Sequence, residues 1–304
     1  MEELPSPRIT LRQVPFSYTE QPIIAATSER RKHTDRHWNK DKPEFSHIVN
    51  AASLAMPYLE PYLIQSMREA RPKITNPVLQ RDLDLYIIQE ATHSKQHKKF
   101  NKTIRDAGYT SVARIEHTLA NDYKKLSLMR SLRFNLAYAE GFESMALAIG
   151  HMLIEDREHL FGHSDSNVAS LVLWHFVEEI EHKNVAFDVF DHLYGSYIWR
   201  MIGLFYASTH IFLRTGQAYR ALLKEDGLWR NLQSRWRLVK ILLYIFRRLI
   251  PKLARVMKPG YHPSKLTDPQ WSEEWVNPYN LDPILASRLD TSRFNEALPV
   301  SLIG

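Results

Sequence analysis

The sequence predicts an all-α protein, a four-helix bundle with additional helices C-terminal to it. Three observations carry this. Only 10 glycines occur in 304 residues, no strand-like alternation is sustained, and apolar residues recur at spacings of three and four, as a helix with one buried face requires.

The elements follow in chain order. Residues 1–43, interrupted by Pro5, Pro7, Pro15 and Pro22, read as an irregular arm that packs over the body. Helices are expected at 44–70, 76–107, 111–127, 129–159, 166–193, 197–224 and 231–257. Between them RPKITNP, DAGYTS, FGHSDSN, YGS, KEDG and KPGYHP collect the Gly, Pro, Asn and Asp that stop helices. Long helices joined by short loops pack antiparallel around one interior, so residues 44–258 are expected to form a single domain. The tail, 259–304, is rich in Trp, Pro and Tyr and is expected to wrap the surface.

Composition narrows the chemistry. A chain with 44% hydrophobic residues can bury a sizeable core. It has no cysteine, which excludes disulfides and thiolate ligands and leaves any metal to His, Asp and Glu. The opening MEELPSPRITLRQVP has no apolar run of signal-peptide length, so a cytoplasmic location is expected. The formal charge is +6, but nine cations and no acid lie between Gly227 and Gly260, so the remainder of the chain is at −3. No nucleic-acid-reading motif accompanies that segment, which excludes a nucleic-acid partner here.

Within 166–193 the stretch HFVEEIEH concentrates charge in an otherwise apolar run. On a helix His175, Glu179 and His182 fall at about 0°, 40° and −20°, with Glu178 at the margin near −60°. In IIQEATHSKQH, Glu90, His93 and His97 share a sector in the same way. Two helices thus each carry Glu-x-x-His plus one more histidine. A dinuclear carboxylate centre in a bundle is built from two such pairs and one glutamate from each of two other helices. Glu60, the single acid between Glu44 and Glu69, fits one of these places. For the other, Glu140 is preferred and Glu143 held in reserve. Buried charge without a cation is costly, so the expected metal residues are Glu60, Glu90, His93, His97, Glu140, His175, Glu179 and His182. Glu143, Glu178, His151 and Asp188 are expected as further ligands or as groups that orient them.

This pattern resembles the ferritin-like di-iron carboxylate superfamily. HFVEEIEHKNVAFDVF together with QEATHSKQHKKF is similar to the bacterial family called predicted metal-dependent hydrolases, over roughly residues 35 to 265. That family's name implies hydrolysis, whereas the ligand arrangement resembles oxygen-activating enzymes. The His175, Glu179, His182 spacing is similar to that of the di-iron arylamine N-oxygenases, which add a third histidine ligand. Many members of the hydrolase-named family have a histidine directly after the third-helix glutamate. Gly141 stands there in this chain, which leaves Glu140 and Glu143 both open.

The expectation is therefore two metal ions, iron before manganese or zinc, with O2 as co-substrate in an oxidation of a hydrophobic small molecule. Glu60 with Glu179 or Glu140 would bridge or cap the ions, while His93 and His182 hold one each. An electron donor is implied if the reaction is an oxygenation. The alternatives are hydrolysis by a metal-bound hydroxide, and metal binding without catalysis. His33, His37, His47, His117, His159 and His163 are expected to be solvated, and Tyr86, Tyr138 and Trp174 to be core. Helices 197–224 and 231–257 are expected to roof an apolar pocket leading to the metals. Residues 230–258 also read as a segment for peripheral membrane contact, and a homodimer stays open.

Overall fold

The computed structural model describes residues 9–18 and 37–294; His33 lies outside them. Helix α1 (Pro43–Ala70) is followed by α2 (Pro77–Asp106), α3 (Val112–Met129), α4 (Leu132–Glu155) and a short α5 (Arg157–Phe161). Then come α6 (Ser166–Glu181), α7 (Val185–Leu193), α8 (Tyr197–Glu225), α9 (Leu232–Val256), α10 (Gln270–Leu281) and α11 (Pro283–Ala286).

Local chemistry sets the starts. Asn76, Ser131, Asp165 and Asn231 each turn a side-chain oxygen onto backbone N–H groups of the first turn of α2, α4, α6 and α9, satisfying donors that a helix leaves orphaned. Pro43 and Pro77 occupy first-turn positions, where their missing N–H costs nothing. Inside α1, Pro57 leaves the Ser53 carbonyl without its helical donor. Asn101 of α2 donates to that carbonyl at 2.9 Å, so the defect becomes a rivet between the two helices.

Helices α1, α2, α4 and α6 surround the interior, where Leu54, Leu59, Leu63, Leu83, Tyr86, Tyr138, Leu173 and Trp174 are fully buried. Helix α8 lies across α4 and α1. Its approach to α4 is backbone on backbone: a Cβ at Gly203 would sit 1.8 Å from the Ala137 carbonyl oxygen, and one at Gly141 2.3 Å from the Leu204 nitrogen. The N-terminal segment buries Ile9, Val14 and Phe16 on the body, and the tail contributes buried Trp271 and Trp275 from α10.

Three expectations need correction. The helix expected over 166–193 is two, because residues 182–184 leave the helix. This turn aims buried Lys183 outward to Asp268, 2.6 Å away, while His182 faces inward. The helix expected over 129–159 stops at Glu155, where α5 begins after Asp156. Finally His47 is buried and His37 half-buried, both against Asp226, whereas His117, His159 and His163 are exposed as expected.

Candidate metal centre

The four bundle helices each aim acid or imidazole into one dry volume. Glu60 comes from α1, Glu90, His93 and His97 from α2, Glu143 from α4, and His175 and Glu179 from α6 with His182 just past its end. Among the described residues, four sets in this volume are close enough to hold ions: Glu90, Glu143, Glu179 and His182; Glu60, Glu90 and His93; His93, His175 and Glu179; and Glu60, His97 and His175. In each set one ligand atom per residue lies within 4.8 Å of the others. Glu60, Glu90, His93, His175 and Glu179 belong to two sets apiece.

Hydrogen bonds around the cluster decide which atoms face it. His93 Nε2 donates to Glu178 at 3.1 Å, so its Nδ1 is left toward Glu90 at 3.3 Å and Glu179 at 3.6 Å. His182 Nδ1 donates to Gln89 at 3.0 Å. Its Nε2 then faces Glu179, Glu90 and Glu143 at 3.1, 3.4 and 3.7 Å. On the far side Ser53 donates to Asn101 and so accepts from His97 Nδ1 at 2.8 Å. His97 Nε2 therefore accepts from His175 Nδ1 at 3.0 Å. This relay turns the His175 Nε2 lone pair toward Glu179, 3.0 Å away.

Electrostatics express the same crowding. Burial, with repulsion from Glu90, pushes the Glu60 carboxyl well above its ordinary range, and burial with repulsion from Glu179 and Glu90 does so for Glu143. Against burial, the attraction of His182 and its hydrogen bond hold Glu179 well below it. His182 is pushed up to about 10 although burial opposes its charge, because Glu179 and Glu143 surround it. Burial keeps His97 and His175 neutral, each lowered further by a neighbouring imidazole.

Both oxygens of Glu60, Glu90 Oε1 and His93 Nδ1 are buried with no hydrogen-bond partner among the described residues. Orphaned acceptors in a dry interior are costly, and all four belong to the cluster. Four carboxylates and several imidazole lone pairs facing one another fit a pair of divalent cations, and the N/O donor set suits iron, manganese or zinc.

Some expected residues lie elsewhere. Glu143, rather than Glu140, joins the cluster. Glu140 points instead to Ser144 at 3.0 Å and Arg200 of α8 at 3.8 Å, because the α4 face around Gly141 is pressed onto α8. His151 lies by Asp268 at 3.5 Å, and Asp188 pairs with His262 at 2.8 Å. Glu178 accepts from both His93 and the Trp174 indole. Tyr86, expected as plain core, donates to Glu143 at 2.7 Å. The large apolar groove, about 740 Å³, runs along the outer face of α8 and includes no cluster residue; the expected passage roofed by α8 and α9 is not this one.

Sequence reasoning missed the supports. Arg12 is buried, bonds Glu181, and lies 3.6 Å from Glu178, and Gln89 also donates to Glu181 and the Thr10 carbonyl. Only the adjacency of Gln89 to Glu90 could have signalled its role. Arg12 carries no local signal in a Pro-broken arm.

No curated protein and no solved structure matches this chain. One family model does, that of the predicted metal-dependent hydrolases, over residues 26–267. This span holds every member of the acid and imidazole cluster, and the chain belongs to the predicted metal-dependent hydrolase family.

Proposed function

We propose that the chain is a hydrolase that uses two divalent cations held by Glu60, Glu90, His93, Glu143, His175, Glu179 and His182. Glu60, Glu90, His93, His175 and Glu179 each belong to two of the ligand sets, so the cations would be held side by side among them. The observation that carries this is the convergence of these groups in a buried volume where, among the described residues, Glu60 and His93 Nδ1 have no hydrogen-bond partner. The family's description favours hydrolysis. Bound cations would supply Lewis-acid activation of water at neutral pH.

The protein's own groups have distinct parts. Glu178 holds His93 so that Nδ1 faces inward, and Gln89 does the same for His182 Nε2. Ser53 and Asn101 fix His97, which fixes His175. Such outer hydrogen bonds set ligand direction and basicity. Tyr86 holds one Glu143 oxygen and leaves the other beside His182.

A second reading, oxidation of an apolar substrate with iron and O2, is favoured by one observation: the cluster has four carboxylates, Glu60, Glu90, Glu143 and Glu179, which stabilise higher metal oxidation states. The test is to load purified protein separately with zinc, manganese and iron(II). Hydrolysis of activated esters and phosphoesters is then measured beside O2 consumption. Metal-dependent hydrolysis lost in Glu90→Ala supports the first reading. O2 uptake by the iron form alone, without hydrolysis under any metal, replaces it with the second.

A further inference from the structure

A second buried donor set lies outside the cluster. His37 Nε2 and His47 Nε2 lie 2.6 and 2.7 Å from Asp226 Oδ2 and 3.2 Å from each other. The Tyr109 hydroxyl donates to the same oxygen at 2.9 Å. His47, Tyr109 and Asp226 are buried, and the His37 side chain is 9% exposed. The groups come from four places: the segment before α1, the start of α1, the α2–α3 loop and the end of α8.

Hydrogen bonding alone serves this arrangement poorly. If both imidazoles donate to Oδ2, two N–H groups and a phenol hydroxyl crowd one oxygen. If either presents its lone pair, two lone pairs face each other in a dry site. A cation removes both conflicts. For zinc bonds of about 2.0 Å, neighbouring tetrahedral ligands lie about 3.3 Å apart, close to the spacing of the two imidazole nitrogens. Asp226 would move outward by about 0.7 Å to reach that spacing. Two neutral imidazoles and one carboxylate with no sulfur suit Zn2+.

We propose that His37, His47 and Asp226, with Tyr109 beside them, form a separate mononuclear zinc site that clips the N-terminal segment to the ends of α1 and α8. It shares no ligand with the cluster, so its fate is independent of the hydrolase reading. Metal content and Co2+ titration of the full chain test it. Wild type should bind three equivalents, and His37→Gln and His47→Gln two each. Glu90→Ala/His93→Ala should keep one equivalent with the intense visible absorption of tetrahedral Co2+. Unchanged stoichiometry in both histidine variants overturns the site. So does a Glu90→Ala/His93→Ala protein, helical by circular dichroism, that binds no metal.

A different observation concerns α9. Leu232, Trp236, Val239, Leu243, Phe246 and Ile250 alternate spacings of four and three, one stripe of the helix, and all are exposed, Leu232 by 85%, Trp236 by 61% and Leu243 by 65%. A second stripe, with Leu238, Leu249 and Val256, is buried on the body. The helix therefore presents one apolar face too many for a bundle element. A heptad-like stripe of this kind also suits pairing with a second copy, so charge decides the occupant. Arg248 and Lys252 are bound by Glu155 and Asp156. Arg230, Arg237, Lys240, Arg247, Arg255 and Lys258 are exposed, and no acid lies between residues 227 and 260. Two copies would bring like charges together, whereas an anionic surface is complementary.

We infer that α9 docks on anionic lipid bilayers, its exposed stripe in the headgroup boundary and its cations on the lipid phosphates. Full-chain protein is sedimented with phosphatidylcholine vesicles with or without phosphatidylserine. Binding should require phosphatidylserine, weaken with salt, and fall by about tenfold or more in Trp236→Ser/Leu243→Ser. These side chains face solvent, so the substitutions should spare the fold. Equal binding to both vesicle types overturns the inference. So does a concentration-dependent dimer that the same substitutions dissociate in protein that ignores vesicles.

Discussion

At the scale of single residues, direction matters more than identity. Glu178 sits at the margin of the α6 stripe, yet its bond to His93 decides which imidazole nitrogen faces the cluster. Glu178→Gln should weaken metal binding by about 10- to 100-fold in a competition titration with a chromophoric chelator; unchanged affinity would remove that role. Glu140 makes the opposite case. Burial raises it to about 8, with Arg200 and Ser144 drawing it back from a larger rise. The folded protein thus retains a proton that the unfolded chain releases near 4.5. The stability this confers is complete below that value and lost as pH rises through 8. Between pH 6 and 9, Glu140→Gln should gain roughly 2–5 kcal/mol relative to wild type in urea unfolding, with metal content unchanged. Parallel pH profiles for the two proteins would contradict it. Which of Glu140 and Glu143 faces inward was not legible, because residues three apart differ by only about 60° around a helix. Gly141 was the clue: a glycine inside a helix marks close approach, and the α4 face it marks meets α8.

At the scale of elements, periodicity located the long helices but not the break at 182–184. No Gly or Pro stands there, and the turn exists because His182 and Lys183 are drawn to opposite partners. Asp165, which caps α6 through Asn167 and Val168, is a local feature with a local cost. Asp165→Ala should lose about 1 kcal/mol, read as a lower midpoint in chemical denaturation. The contact of α4 with α8 is less forgiving. Gly203→Ala directs a methyl group at the Ala137 carbonyl, where backbone must shift, and should cost roughly 2–4 kcal/mol. A Gly203→Ala protein as stable as wild type would show that the two helices are not held so close.

At the scale of the whole molecule, the all-α architecture was legible because chain-long apolar periodicity and scarce glycine leave no other class. The helices that carry the cluster were legible too, since two Glu-x-x-His pairs and lone glutamates recur in order on apolar helices. The hydrogen-bonded shell was not, because Arg12, Ser53, Gln89 and Asn101 gain their roles only when distant segments meet. Central to the account is that buried carboxylates and imidazoles from α1, α2, α4 and α6 share two cations. Anomalous diffraction from crystals of the metal-loaded protein, at the absorption edge of the added metal, tests it most directly. Two adjacent peaks should appear among Glu60, Glu90, His93, Glu143, Glu179 and His182, with His175 beside them. A loaded crystal whose anomalous density avoids that interior would contradict it.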